Sequence, residues 1–136
     1  MVRAILRVKL RYLEQWTEAR RTHARHYSKL LGGWAEAKVP VEAPNRRHVY
    51  HVYAVRSAGR DGLQRLLQAD GVHTGLHYPI PVHLQQAHAD LGHQAGDFLE
   101  SEAASREVLS LPMFPEMTES QVEQVAAAAR QEAYVG

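Results

Sequence analysis

The chain contains no cysteine. That absence removes disulfides, thiolate zinc sites and cysteine nucleophiles, and it fits a reducing compartment. An excess of either charge is also missing: 16 Lys and Arg stand against 15 Asp and Glu, a formal net charge of +1. No strong electrostatic case therefore exists for nucleic acid or an anionic membrane as a partner. No apolar run approaches the ~20 residues needed to cross a bilayer. Arg3, Arg7, Lys9 and Arg11 break up the N-terminal stretch that a signal peptide would need. The expected location is cytoplasmic. A glycine-rich phosphate loop is absent too: Gly32-Gly33 reads as a helix stop, and Gly59 and Gly62 flank a turn.

What is present fits one domain over residues 1–136, with 45% apolar residues to build a core. Residues 3–31 read as one long amphipathic helix. Leu6, Leu10, Leu13, Ala24, Tyr27 and Leu31 form its apolar stripe, and Gly32-Gly33 ends it. No Ser, Thr, Asp or Asn precedes it as an N-cap, so the expectation is a chain that begins inside a helix or inside a larger protein. His48–Ser57 reads as a strand rich in β-formers, and Val72–Tyr78 as a second. Between them, Asp61 is placed to cap a helix bearing Leu63, Leu66 and Leu67 and closed by Gly71. His83–Leu91 reads as a short helix ended by Gly92. Asp97 with Glu100, and Thr118 with Gln121, read as capping boxes for two more helices. Leu109-Ser110-Leu111 is a short extended piece. The fold class is therefore α+β, with a small antiparallel sheet, helices packed on one face and a long N-terminal helix.

The most informative stretch is Leu76-His77-Tyr78-Pro79-Ile80-Pro81-Val82-His83-Leu84-Gln85, followed by Leu109-Ser110-Leu111-Pro112-Met113-Phe114-Pro115. Proline fixes φ and removes a backbone donor, so these prolines make stiff, irregular exits from which side chains can be aimed. The nine histidines invite a metal site, but no HExxH or comparable ligand spacing is present, and the expectation is no metal. Ser110 lies between leucines without a nucleophile elbow. Glu100 and Glu102 read as first-turn helix residues favoured by the helix dipole. The three lysines, Lys9, Lys29 and Lys38, show none of the surroundings that a Schiff-base lysine needs. No catalytic or cofactor-binding residue is assigned.

Several of these segments together resemble the C-terminal portion of the DegT/DnrJ/EryC1/StrS family of pyridoxal-phosphate-dependent sugar aminotransferases, of fold type I. The matching segments are Ala4-Ile5-Leu6-Arg7-Val8-Lys9-Leu10 with Leu13 and Trp16, His51-Val52-Tyr53, His77-Tyr78-Pro79-Ile80-Pro81-Val82-His83-Leu84-Gln85, and Glu102 with Leu109–Pro115 and Thr118. The resemblance implies amino transfer to a nucleotide-linked keto sugar. In the intact enzyme, pyridoxal phosphate is held on a lysine of a large N-terminal domain. It implies that residues 1–31 form the helix joining the two domains and that the partner of this chain is that missing large domain. Left uncovered, the apolar stripe over residues 3–31 is expected to drive the isolated chain into a homo-oligomer. His77 and Tyr78 become the first candidates for lining the substrate cleft, with His83 and Gln85 second. Without the Schiff-base lysine, aspartate and stacking ring of the large domain, the chain alone is expected to be inactive and to bind no cofactor. The alternative is a free-standing α+β binding or oligomerisation module without chemistry.

Overall fold

A computed structural model describes residues 2–131. The N-terminal helical run is continuous in direction but changes pitch. Helix α1 (Val2–Lys9) tightens into a 3-10 turn at Leu10–Tyr12 and resumes as α2 (Leu13–Leu30). Strand β1 (Tyr53–Arg56), helix α3 (Arg60–Ala69), 3-10 turns at Val82–Leu84 and Gln86–Leu91, helix α4 (Leu99–Glu107), strand β2 (Val108–Leu111) and helix α5 (Glu119–Ala129) complete the order. The two strands pair antiparallel with Tyr53 opposite Leu111 and Val55 opposite Leu109. One residue from each flanking segment extends the sheet: Lys38 bridges Arg56, and Gly75 bridges Ser110. The α+β class and the long N-terminal helix are thus as the sequence predicts.

The apolar stripe of the first helix divides in two. Ala24, Tyr27 and Leu31 are buried against Tyr53, Val55, Leu63, Leu67, Leu109, Leu111 and the inner face of α5 at Val122, Val125, Ala126 and Ala129. The Tyr27 and Tyr53 rings pack 4.9 Å apart. Their hydroxyls are not orphaned: Tyr27 donates to the Pro112 carbonyl at 3.1 Å, and Tyr53 meets Ser28 Oγ at 2.9 Å. Burial pushes the Tyr53 phenol up to about 12. The N-terminal half of the stripe has no such cover. Ile5, Leu6, Val8, Leu10 and Leu13 are each about half exposed or more.

Five sequence expectations are corrected. The strand predicted from His48 begins only at Tyr53, because side chains claim the backbone before it. Glu42 accepts the His48 N–H at 2.7 Å, Arg21 donates to the His48 carbonyl at 2.6 Å, and Arg20 donates to the Val49 carbonyl at 3.2 Å. Tyr50 then takes φ +47°, which ends the strand alternation. The strand predicted over Val72–Tyr78 reduces to the single Gly75 bridge. That register sets His73 opposite Pro112, which has no N–H to give.

Two caps are also misassigned. Gly59, not Asp61, precedes α3. Asp97 accepts the Gln94 N–H at 2.9 Å and so closes the turn before α4 instead of capping it. The segment predicted as a helix over His83–Leu91 consists of 3-10 turns, ended by Gly92 at φ +73° as expected. The Thr118–Gln121 capping box is present in both directions, at 3.2 and 2.9 Å.

Two substitutions test this packing. Leu67→Ala removes a side chain with no exposure from the meeting point of α3 and the core, and should cost about 2–5 kcal/mol in urea unfolding. Thr118→Ala should cost about 1 kcal/mol through loss of the α5 cap, with an unchanged m-value.

Candidate functional site

Of the four candidate residues, His77 has the most defined setting. Its Nδ1 lies 2.9 Å from Ser110 Oγ, on strand β2. The ring borders a depression of about 190 Å³ with His51, His73, Gly75, Ser110 and Met113 among its walls. No carboxylate lines it, so its polar wall consists of imidazoles and one hydroxyl, groups suited to hydroxyl or anionic oxygens of a ligand. The Gly75 bridge to β2 brings His73 and His77 to the same depression. Tyr78 follows with its ring edge toward His77 at 5.5 Å, and it is 69% exposed.

His83 goes elsewhere. Its Nε2 lies 3.2 Å from Glu102 Oε1, with the two side chains 8% and 10% exposed. The His83 ring packs on Phe98 at 4.7 Å, and His93 packs on the same ring at 5.0 Å. Glu102 also accepts the Gly96 N–H at 2.8 Å. This carboxylate therefore anchors both ends of an otherwise exposed strap, residues 82–98, to α4. An apolar depression of about 340 Å³ lies under it, lined by Val82, His83, His88, Leu91, His93 and Phe98. It shares no wall with the His77 depression. Gln85 donates to the Ile80 carbonyl at 3.4 Å and so stabilises the proline turn.

Two partners escaped sequence reasoning. Glu102 looked like a helix-dipole residue, and nothing local tied it to a histidine 19 positions away. Ser110 looked like a polar gap between leucines.

Among the described residues, no group of three His, Asp or Glu side chains converges as metal ligands. Lys9, Lys29 and Lys38 are all exposed. Lys29 borders a surface depression with Glu119 and Glu123, and no lysine lines the His77 depression.

The Glu102 anchor makes a pH prediction. The Gly96 N–H foremost, with His83 adding to it, holds the Glu102 carboxyl below its usual 4.5. A carboxyl depressed in the folded state stabilises above its unfolded value and loses that contribution as pH falls through its folded value. Glu102→Gln should therefore lower the urea midpoint at pH 7. The gap between variant and parent should close as both are acidified below about pH 4.

Comparison with known proteins agrees with this fold and extends it. The model of the DegT/DnrJ/EryC1/StrS aminotransferase family matches residues 1–130. The chain is 46% identical to the pleiotropic regulatory protein of Geobacillus stearothermophilus over 127 residues, covering 92% of this chain and 34% of that protein. It is 38% identical to a dTDP-3-amino-3,4,6-trideoxy-alpha-D-glucose transaminase of Streptomyces venezuelae, covering 96% and 35%. The crystal structure of S. venezuelae DesV in complex with a ketimine intermediate superposes with a TM-score of 0.90 at 38% identity, over 93% of this chain and 34% of that one. The chain thus spans about a third of the length of the curated relatives it matches. No helix among the described residues is long and apolar enough to cross a membrane. On sequence, fold and extent of match together, the chain belongs to the DegT/DnrJ/EryC1/StrS aminotransferase family.

Proposed function

We propose that this chain is the C-terminal, substrate-cleft portion of a pyridoxal-phosphate-dependent aminotransferase that acts on a nucleotide-linked keto sugar. The observation that carries the reading is the match to the Streptomyces venezuelae transaminase over 96% of this chain but 35% of that protein. The cofactor and the lysine that holds it belong to residues other than these; the reading is supported by the exposure of all three lysines here and by the lack of a lysine lining the His77 depression. When bound, pyridoxal phosphate supplies the carrier for the amino group. His77 and Tyr78 line the sugar or nucleotide side of the cleft. His83 contributes by anchoring the strap to Glu102, and Gln85 by holding the turn at Ile80.

The half-exposed stripe over residues 5–13 supports the same reading over a free-standing module. A helix that leaves Ile5, Leu6, Val8, Leu10 and Leu13 in water is one that another part of an enzyme covers. We infer that the two-domain enzyme covers it, in a homo-oligomer within the cytoplasm.

The test joins the chain to the N-terminal two-thirds of the Streptomyces venezuelae transaminase. Amino transfer from glutamate to a dTDP-linked keto sugar is then followed. The joined protein should turn over and the isolated chain should not. His77→Ala in the joined protein should lower kcat/KM for the sugar by about 10–100-fold, the loss of one hydrogen bond to a charged or polar group. Turnover by the isolated chain, or a folded joined protein with no turnover, would overturn the reading.

A further inference from the structure

Gly75 stands two residues before His77 with an ordinary backbone, unlike Gly71 at φ +76° and Gly92 at φ +73°. Its lack of a side chain is therefore not a demand of φ. It is a demand of space. A Cβ built on Gly75 would lie 2.7 Å from His77 Cε1 and 3.3 Å from Nδ1, and the only atoms it would crowd are those of the imidazole. The ring is folded back over residue 75, in the volume where a side chain would stand.

Ser110 closes the arrangement from the other side. Its main chain exchanges both hydrogen bonds with Gly75, at 3.0 and 2.8 Å, so the serine and the glycine are held together independently of their side chains. Its hydroxyl is buried, at 4% residue exposure, and among the described residues its hydrogen-bond partner is His77 Nδ1. A buried hydroxyl that only accepted from an Nδ1–H would leave its own proton without an acceptor, which is costly. The favourable arrangement has the Ser110 hydroxyl donate to Nδ1. In the neutral ring the proton then resides on Nε2, the nitrogen that no described residue engages.

We propose that Gly75 and Ser110 are positioning residues for His77: the glycine vacates the space that the ring occupies, and the serine fixes its tautomer so that Nε2–H is the group offered to a ligand. The ligand chemistry that follows is an oxygen acceptor, a sugar hydroxyl or an anionic oxygen of the activated sugar. The assignment of that ligand rests on the proposed function. The geometry of the ring does not.

The test is spectroscopic and needs no turnover, so its failure and the failure of the aminotransferase reading are separable. In the 136-residue chain labelled with nitrogen-15, His77 is assigned by comparison with His77→Gln. Its two-bond nitrogen–proton correlations above the titration of the ring report the tautomer. The parent should show the Nε2–H form, with Nδ1 shifted as a hydrogen-bond acceptor. Ser110→Ala should abolish that Nδ1 shift. Gly75→Ala should do the same by displacing a movable ring, leaving the backbone amide spectrum outside residues 74–78 and 109–111 in place. The double variant should change Nδ1 no further than either single one, because both act on the same contact. An Nδ1–H tautomer in the parent, or an Nδ1 signal unmoved by Ser110→Ala, would overturn the proposal. The serine variant decides the matter even if the glycine variant does not fold.

Discussion

The rest of the structure depends on strand β2, four residues long and engaged on both edges. Ala54 of β1 faces Ser110 on one side, and Gly75 exchanges main-chain hydrogen bonds with the same serine on the other. Backbone polar groups inside a domain must be paired, so this short strand dictates where two other segments of the chain can run. Its exit extends the control. The Pro112 carbonyl receives the Tyr27 hydroxyl, and the Pro115 carbonyl meets His23 Nε2 at 3.3 Å, so helix α2 is fastened to the irregular continuation of β2 at two levels. A polar residue between two leucines is thereby the junction of sheet, helix and candidate site.

Where no strand is available, charged side chains take over the same task. Residues 48–50 carry hydrogen bonds from Arg20 and Arg21 and to Glu42, and the strap over residues 82–98 is tied at Gly96 and His83 to Glu102. Both segments flank the candidate site, one leading into His51 and the other leaving Pro81. The arrangement lets irregular backbone be held in place without being made regular, which a cleft lined by side chains on loops requires. It also explains the separation of the four candidate residues. His77 turns back to the sheet, while His83 is drawn to α4 by a buried carboxylate.

The first helix distributes its apolar surface unevenly. The C-terminal half of the first helix is consumed by the core, and the N-terminal half is not. Lys9, Lys29 and Lys38 are all exposed, and none lines the His77 depression. The proposed function, in which another portion bears the cofactor and this one shapes the cleft, accounts for both observations. It also fits a chain that spans a third of its relatives while reproducing the fold of that third.

The sequence by itself determined the elements whose signals are local. The long stripe to Leu31 and its glycine stop, the helix carrying Leu63 and Leu67, the Thr118–Gln121 box, the left-handed Gly71 and Gly92 and the family motif around His77–Gln85 are each written in a few neighbouring residues. What the tertiary structure decided were the features fixed by partners far along the chain. Arg21 and Glu42 unmade the first half of a strand that its own residues favoured. Pro112 denied a partner to the strand expected at Val72–Tyr78. Glu102 was claimed by His83 and Gly96, and Ser110 by His77 across 33 positions. Propensity is a property of a residue and its near neighbours, whereas hydrogen-bond satisfaction is a property of whatever folding brings within 3 Å. The four candidate residues were therefore named from the chain, whereas the partners that hold His77, His83 and Gln85 came only from the fold.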